Sequence, residues 1–129
     1  MRYLGIDYGT KRIGVAVSDA GGMIAFPHSV LHRRGNVFIF DQILALSKRE
    51  GIGAVVIGLP LGTDGSETEE SGRVREFAQG LATKTSLPIK FENEMFSSRM
   101  VEDAGVAKEH VDESSAALVL QSYLDKQKP

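Results

Sequence analysis

The sequence contains no cysteine, which excludes a disulfide framework, a zinc site built on thiolates and a cysteine nucleophile. No apolar run approaches the roughly 18 residues that a membrane-spanning helix needs, and no basic, apolar leader precedes the first predicted strand. The charges nearly cancel, at a net −2, so the overall basic character of an avid nucleic-acid binder is missing too. These absences predict a cytoplasmic protein with no membrane partner. They also mean that any contact with nucleic acid must come from a few local cations.

The 129 residues are 42% hydrophobic and 25% charged, which is typical of a globular domain with a core of its own. Near the N-terminus, two runs rich in β-forming residues, Tyr3–Asp7 and Ile13–Ser18, flank a short turn. A connection this short cannot hold a crossover helix, so the two strands should pair antiparallel. It also argues against a dinucleotide-binding start, in which the glycine-rich turn leads directly into a helix.

After this hairpin, apolar periodicity and turn residues predict further elements along one α/β domain that spans residues 1–129. In chain order they are an edge strand over 23–31 that contains Pro27, a helix from Asn36 to about Arg49, a buried strand at 54–57, a helix opened by a capping box of Ser66 and Glu69, a strand at 88–91, a short helix from Ser97 or Ser98 to about Gly105, and a last helix from about Asp112. This order predicts a mixed sheet, antiparallel at one side and parallel at the other, with helices on both faces.

Three carboxylates fall in different elements that such a fold would bring together. Asp7 ends the first strand, Glu94 follows the last strand, and Asp112 opens the last helix on its apolar face. Acidic oxygens gathered in one place repel one another unless they share a cation, and oxygen-only ligands suit Mg²⁺ or Mn²⁺. Taken singly, each has an ordinary structural interpretation. Asp112 is a good helix N-cap, Glu94 beside Glu92 reads as a solvated charge, and Asp7 could accept hydrogen bonds from the turn.

The cations are equally ambiguous from sequence alone. Lys11 and Arg12 in the first turn could bind phosphates or could simply be solvated charges at a hairpin tip. Arg33 and Arg34 are more typical of a solvated loop. Arg73, Arg75 and Arg99 read as surface charges, among which Arg73 could flank the site.

Two further features carry weaker signals. The glycine-rich loop GLPLGTDG, residues 58–65, could cradle a phosphate with its amides near the following helix. Ser97 and Ser98 read first as a helix cap and second as a substrate contact. The three histidines are scattered without the spacing of metal ligands.

Four segments together resemble the YqgF (RuvX) family of bacterial Holliday-junction-resolvase-like proteins. They are GIDYGTKRIGVAVSD, VVIGLPLGTDGS, the acidic segment before Ser97, and VDESSAALVLQSYLD, and they occur in the family order over nearly the whole chain. The resemblance implies an RNase H-like fold with a five-stranded mixed sheet. It further implies a divalent-metal nuclease site and a role in maturing the 5′ end of 16S rRNA in pre-ribosomes.

By motif match, the resemblance makes Asp7, Glu94 and Asp112 the catalytic and metal-binding residues. The family's middle motif usually reads Asp-Glu-Arg, whereas this chain has Asn93-Glu94-Met95. An amide oxygen can still coordinate a metal, but without the charge. The arginine that could have bound phosphate or oriented Glu94 is absent.

The first functional hypothesis is therefore a Mg²⁺- or Mn²⁺-dependent phosphodiesterase acting on structured RNA, with branched DNA as the less favoured substrate. The residues expected to contact nucleic acid are Gly9, Thr10, Lys11, Arg12, Asn93 and Ser97. A second hypothesis, motivated by Asn93 and Met95, is a nucleic-acid- or ribosome-binding factor with a degenerate nuclease site. A third, nucleotide binding of the sugar-kinase and actin type, is disfavoured because those proteins close two large domains around ATP.

Overall fold

The computed structural model describes residues 1–33, 36–94 and 111–127, in which five strands and three helices are formed. Their bounds are β1 Arg2–Asp7, β2 Arg12–Ser18, β3 Ala25–His32, α1 Asn36–Glu50, β4 Ile52–Pro60, α2 Glu69–Ala82, β5 Ile89–Glu94 and α3 Val111–Lys126. The predicted short helix after Ser97 falls outside the described residues. None of the described helices is both long enough and apolar enough to cross a membrane.

The five strands form one mixed sheet in the order β3-β2-β1-β4-β5. The first three strands pair antiparallel, whereas β4 runs parallel to β1 and to β5. This confirms the predicted mixed sheet and the hairpin at the N-terminus. Pro27 lies on the edge strand β3, as predicted, next to a register shift in the pairing of β2 with β3.

The helices α1 and α2 cover one face of the sheet, which we call the α1/α2 face. Alternate strand positions such as Leu4, Ile6 and Ile57 point to this face and are fully buried. On the helices, Ile43 and Leu81 belong to the same cluster. Because β4 is central, its residues are buried on both faces, as its continuous apolar sequence predicts.

The helix α3 covers the other face, the α3 face, and it lies unusually close to the sheet. A Cβ atom built on Gly5 would come within 2.7 Å of the Cβ of Leu120, and one on Gly14 within 2.0 Å of the backbone oxygen of Asp112. These glycines therefore let the helix backbone approach strands β1 and β2. The buried cluster on this face is correspondingly built with small residues, among them Ala16 and Ala116.

The start of α2 differs from the sequence prediction. Its N-cap is Thr68, and the capping box pairs Thr68 with Ser71, so the prediction of a box formed by Ser66 and Glu69 is wrong. Ser66 is engaged elsewhere, since both its N–H and its hydroxyl donate to Asp64, at 3.0 and 2.6 Å. A β-bridge between Leu61 and Glu67 then keeps the chain out of the helical conformation until Thr68.

Candidate active site

Asp7 is the last residue of β1, and its alternation with Gly5 directs it to the α3 face. Its strand partner on β2 is Gly14, over which the start of α3 lies. Burial, and after it the nearby charges of Asp112 and Glu70, together raise the pKa of Asp7 from 3.8 to about 7. The carboxylate is thus held where its ionised form is disfavoured.

Glu94 is the last residue of β5 and is buried, whereas its acidic sequence context alone predicts a solvated charge. Its carboxyl group lies over Gly58 of β4, where a Cβ atom would come within 3.0 Å of the carboxyl carbon. Burial raises the pKa of Glu94 from 4.5 to about 8, with repulsion from Asp7 as the next cause. The backbone carbonyl of Glu94 accepts from the N–H of Leu61 at 3.1 Å, which fixes the end of the strand.

Asp112 lies in the first turn of α3, which begins at Val111, and so does not precede the helix as an N-cap would. Its carboxylate pairs with Arg12 at the start of β2, at 3.1 Å between Oδ2 and Nε. Along the same helix face, Ala116 and Val119 are fully buried, which confirms the predicted inward stripe. Packing of that stripe brings Asp112 to the end of the sheet where Asp7 lies.

Two further acids, for which the sequence patterns predict no role in the site, belong to this region. Glu70, in the first turn of α2, raises the pKa of both Asp7 and Glu94 by its charge. Glu92 was expected in solvent but is only 4% exposed. Its Oε2 accepts from the Ser122 hydroxyl at 2.7 Å and from Lys126 at 2.6 Å, tying β5 to α3. The period of two shared by Glu92 and Glu94 could have indicated a common face.

The positions and partners of the described cations differ from those that the sequence predicts. Arg33, read as part of a solvated loop, instead binds the β1–β2 turn through its guanidinium. Arg73 pairs only loosely with Glu69 at 3.8 Å on the surface. Arg75 makes a two-point pair with Glu67, at 2.7 and 2.8 Å. Among the cations of the described residues, Arg12 is in direct contact with one of the three predicted carboxylates, a contact that the chain spacing does not reveal.

The glycine-rich loop is a poor phosphate cradle in this structure. The N–H groups of Leu61, Gly62, Gly65 and Ser66 all donate within the protein. The helix that follows opens with Glu69 and Glu70, whose negative charges oppose an anion. The N–H groups of Thr63 and Asp64 make no hydrogen bond within the described residues, but the Asp64 carboxylate beside them disfavours an anion, so the hypothesis that this loop holds a phosphate is not supported.

The predicted nucleic-acid contacts are only partly brought together. Gly9, Thr10, Lys11 and Arg12 form the turn and strand start directly after Asp7. Asn93, between Glu92 and Glu94, is exposed and by strand alternation lies on the α1/α2 face, away from the carboxylates. Ser97 and Met95 lie outside the described residues.

The acidic groups can be compared with the ligands that a divalent cation requires. In the described ranges, no three acidic or histidine side chains stand close enough to hold an ion in the present conformation. The donor chemistry nevertheless fits Mg²⁺ or Mn²⁺, because Asp7 and Glu94 offer only oxygen and repel one another in a buried setting. Asp112 could join them by exchanging its Arg12 partner for the ion.

Comparison with solved structures identifies the class of fold. T. thermophilus RuvC, solved in complex with a Holliday junction substrate, superposes with a TM-score of 0.63 at 18% identity, covering 98% of this chain and 96% of that one. The sheet order and the helices on both faces are those of an RNase H-like fold. At this identity the likeness establishes the fold alone.

Sequence comparison then identifies the family. The model of the RuvX family, described as Holliday junction resolvase, matches residues 1–126, and the chain belongs to this family. A Nitratidesulfovibrio vulgaris protein named "Putative pre-16S rRNA nuclease" is 42% identical, over 97% of this chain and 94% of its own length. A protein of the same name from Anaplasma marginale is 44% identical, over 98% and 86%.

Proposed function

We propose that this chain is a single-domain, cytoplasmic, metal-dependent nuclease that hydrolyses phosphodiester bonds in structured RNA, with the 5′ end of pre-16S rRNA as its substrate. The observation that carries the proposal is that Asp7, at the end of β1, lies near enough to both Asp112 of α3 and Glu94 of β5 for their charges to interact. Burial raises the pKa of both Asp7 and Glu94, the charge of Asp112 adds to the shift of Asp7, and the charge of Asp7 adds to that of Glu94; a bound cation would relieve these repulsions. The names of the full-length relatives favour RNA as the substrate.

Each residue has a distinct role in this proposal. Asp7, Glu94 and Asp112 would hold Mg²⁺ or Mn²⁺, which would supply the positive charge needed to activate water and to stabilise the leaving 3′-oxygen. Arg12 orients the Asp112 carboxylate through the ion pair at 3.1 Å. The exposed turn of residues 9–11 meets the sugar-phosphate backbone. A net charge of −2 leaves binding modest and dependent on salt.

The test is cleavage of a labelled pre-rRNA 5′-leader fragment in Mg²⁺ or Mn²⁺ by the wild type and by Asp7→Asn. We expect cutting that EDTA abolishes and that falls about a hundredfold or more in the variant, because a ligand oxygen and its charge are lost. Asp41→Asn, a change of the same kind at an exposed site on α1, is the matched control and should cut normally. Equal cutting by Asp7→Asn and the wild type would place the chemistry elsewhere.

Branched DNA is the second candidate substrate, since the family model is described as Holliday junction resolvase. The same proteins are therefore assayed on a synthetic four-way junction. Junction cleavage that exceeds leader cleavage and is lost in Asp7→Asn would make DNA the substrate of the same site.

A binding factor with a degenerate site is the third candidate, and the Arg12–Asp112 ion pair is the observation that favours it. The pair occupies one of the three carboxylates that a metal would need. Binding of leader RNA or pre-ribosomal particles without cleavage, unchanged in Asp7→Asn, would support this candidate over the enzyme.

A further inference from the structure

Arg33, just past the end of β3, holds the β1–β2 turn at several points. Its Nη1 donates to the Tyr8 hydroxyl at 2.7 Å and to the carbonyls of Gly9 and Thr10, both at 3.3 Å. Its own backbone N–H donates to the carbonyl of Lys11 at 3.0 Å. Three successive carbonyls of the turn are thus directed toward one residue.

The packing of the Tyr8 ring shows on which side of the turn Arg33 lies. The Tyr8 ring packs against Phe77 of α2, with centroids 4.9 Å apart, and the Arg33 guanidinium stands 4.9 Å from the same ring. Tyr8 follows Asp7 in an extended segment and so faces the opposite way. Arg33 therefore approaches the turn from the α1/α2 face, and the carboxylates lie on the other.

The geometry of the peptide group fixes what the turn presents to the α3 face. In a planar trans peptide the C=O and the following N–H point in opposite directions. Because the carbonyls of Gly9 and Thr10 are directed toward Arg33, the N–H groups of Thr10 and Lys11 point away from it. They face the side on which Asp7 and Arg12 lie.

These two N–H groups differ from most of those in the glycine-rich loop, where the remaining Thr63 and Asp64 N–H groups lie beside the Asp64 carboxylate. Within the part of the chain that the structure describes, neither Thr10 N–H nor Lys11 N–H donates to another protein group, and both residues are exposed. The loop amides of Leu61, Gly62 and Gly65, in contrast, are all engaged. Adjacent N–H groups that point the same way form a concave donor pair suited to an anion.

We propose that Arg33 is a positioning residue that turns the Thr10 and Lys11 N–H groups toward the α3 face, where they bind a phosphate of the nucleic acid next to the carboxylates. The inference rests on the proposed function for the identity of the ligand. The ligand chemistry is a phosphodiester oxygen, bound by backbone donors without regard to sequence. Arg33 itself does not touch the phosphate.

The test compares Arg33→Gln with Arg75→Gln. Arg75 is a matched control because it also stacks on an aromatic ring, 5.1 Å from that of Phe91, and also makes several hydrogen bonds, but away from the turn. Amide spectra of ¹⁵N-labelled proteins are recorded during titration with leader RNA in Ca²⁺, and separately with inorganic phosphate. Leader cleavage in Mg²⁺ then gives KM and kcat.

We expect the Thr10 and Lys11 amides of the wild type to shift with both probes. In Arg33→Gln those shifts should shrink and KM should rise about five- to twentyfold, the loss expected for charge-assisted hydrogen bonds that no longer order the turn. The kcat should stay within about twofold, and the salt dependence of binding should be unchanged, because no cation leaves the phosphate. Lys11→Gln, in contrast, should lower the salt slope by about one.

Silent Thr10 and Lys11 amides in the wild type would overturn the inference, as would equal losses in Arg33→Gln and Arg75→Gln. Should Arg33→Gln fail to fold, Arg33→Lys, which keeps the charge but loses the planar fork, takes its place with an intermediate effect expected. Failure of the proposed function is distinguishable. Amides that shift with phosphate in a protein that cuts no RNA would support the anion site but not the proposed function. RNA cleavage without any shift of these amides would support the proposed function but contradict the anion site.

Discussion

The two faces of the sheet are built on different principles. On the α1/α2 face, large aliphatic side chains such as Ile6, Ile57 and Leu81 are completely buried. On the α3 face, glycines at 5, 14 and 58 replace side chains, and the helix lies almost on the sheet. There, the buried carboxyl groups of Glu92 and Glu94 accompany a small cluster of alanine, valine and leucine.

The difference teaches how a small protein can carry mutually repelling charges. Glu94 occupies the space that a side chain at position 58 would fill, and Asp112 is near Asp7 because Gly14 lets α3 approach. Such an arrangement disfavours folding, since the carboxyl groups of Asp7 and Glu94 are partly dehydrated and their ionised forms are disfavoured. The aliphatic α1/α2 face supplies the stability that offsets it. Stability and chemistry are thus assigned to opposite faces.

The largest stability effect is expected on the α1/α2 face. Ile57→Ala removes a fully buried side chain from its core and should lower the free energy of unfolding by about 2–5 kcal/mol. Urea denaturation measures the loss. Val56→Ala, on the α3 face of the same strand, is the control and removes fewer buried atoms. An Ile57→Ala loss no larger than that of Val56→Ala would contradict the proposed division.

Neutralising Asp7 should have the opposite effect and increase the free energy of unfolding. With a pKa raised from 3.8 to about 7, Asp7 favours the folded state when protonated, so its contribution is full below about pH 4 and is lost as the pH rises through 7. Asp7→Asn in EDTA should therefore stabilise the protein by about 1–3 kcal/mol at pH 8 and very little at pH 4. Thermal melts across this range provide the measurement, with Asp41→Asn as the control. A destabilised variant at pH 8 would show that the ionised carboxylate is stabilised and not strained.

The smallest stability effect is expected for Gly58→Ala, which should also change activity. A Cβ atom there would meet the Glu94 carboxyl carbon at 3.0 Å and Val119 at 3.1 Å, contacts that yield by a few tenths of an ångström. Gly58→Ala should change stability by less than about 1 kcal/mol and reduce leader cleavage by about tenfold, since catalysis is sensitive to small displacements.

The control for this variant is Gly72→Ala on α2, where a Cβ atom meets nothing within 4 Å. It should raise stability by about 0.5–1 kcal/mol through helix propensity and leave cleavage unchanged. Full activity in Gly58→Ala would mean that the position of the Glu94 carboxyl group does not limit the reaction.

Much of the fold could be read from local signals. The short turn after Asp7 required a hairpin, Pro27 indicated an edge, and the continuous apolar run at 54–57 indicated a central strand, all as the structure has them. The bounds were less accurate. Strand β4 extends to Ile52–Pro60, since glycine and proline at its ends were read as loop residues although the neighbouring strands pair with them.

The sequence by itself determined the order of elements, the family and the three carboxylates at element ends, because strand ends, turn lengths and motif order are properties of the chain. Only the tertiary structure decided the surroundings of those groups. Glu92 and Glu94 are buried by a helix that follows them in the chain, Asn93 lies on the far face, and Arg33 reaches back to the first turn. Such contacts join residues distant in sequence, and they depend on how closely glycines let the layers approach, which no local pattern encodes.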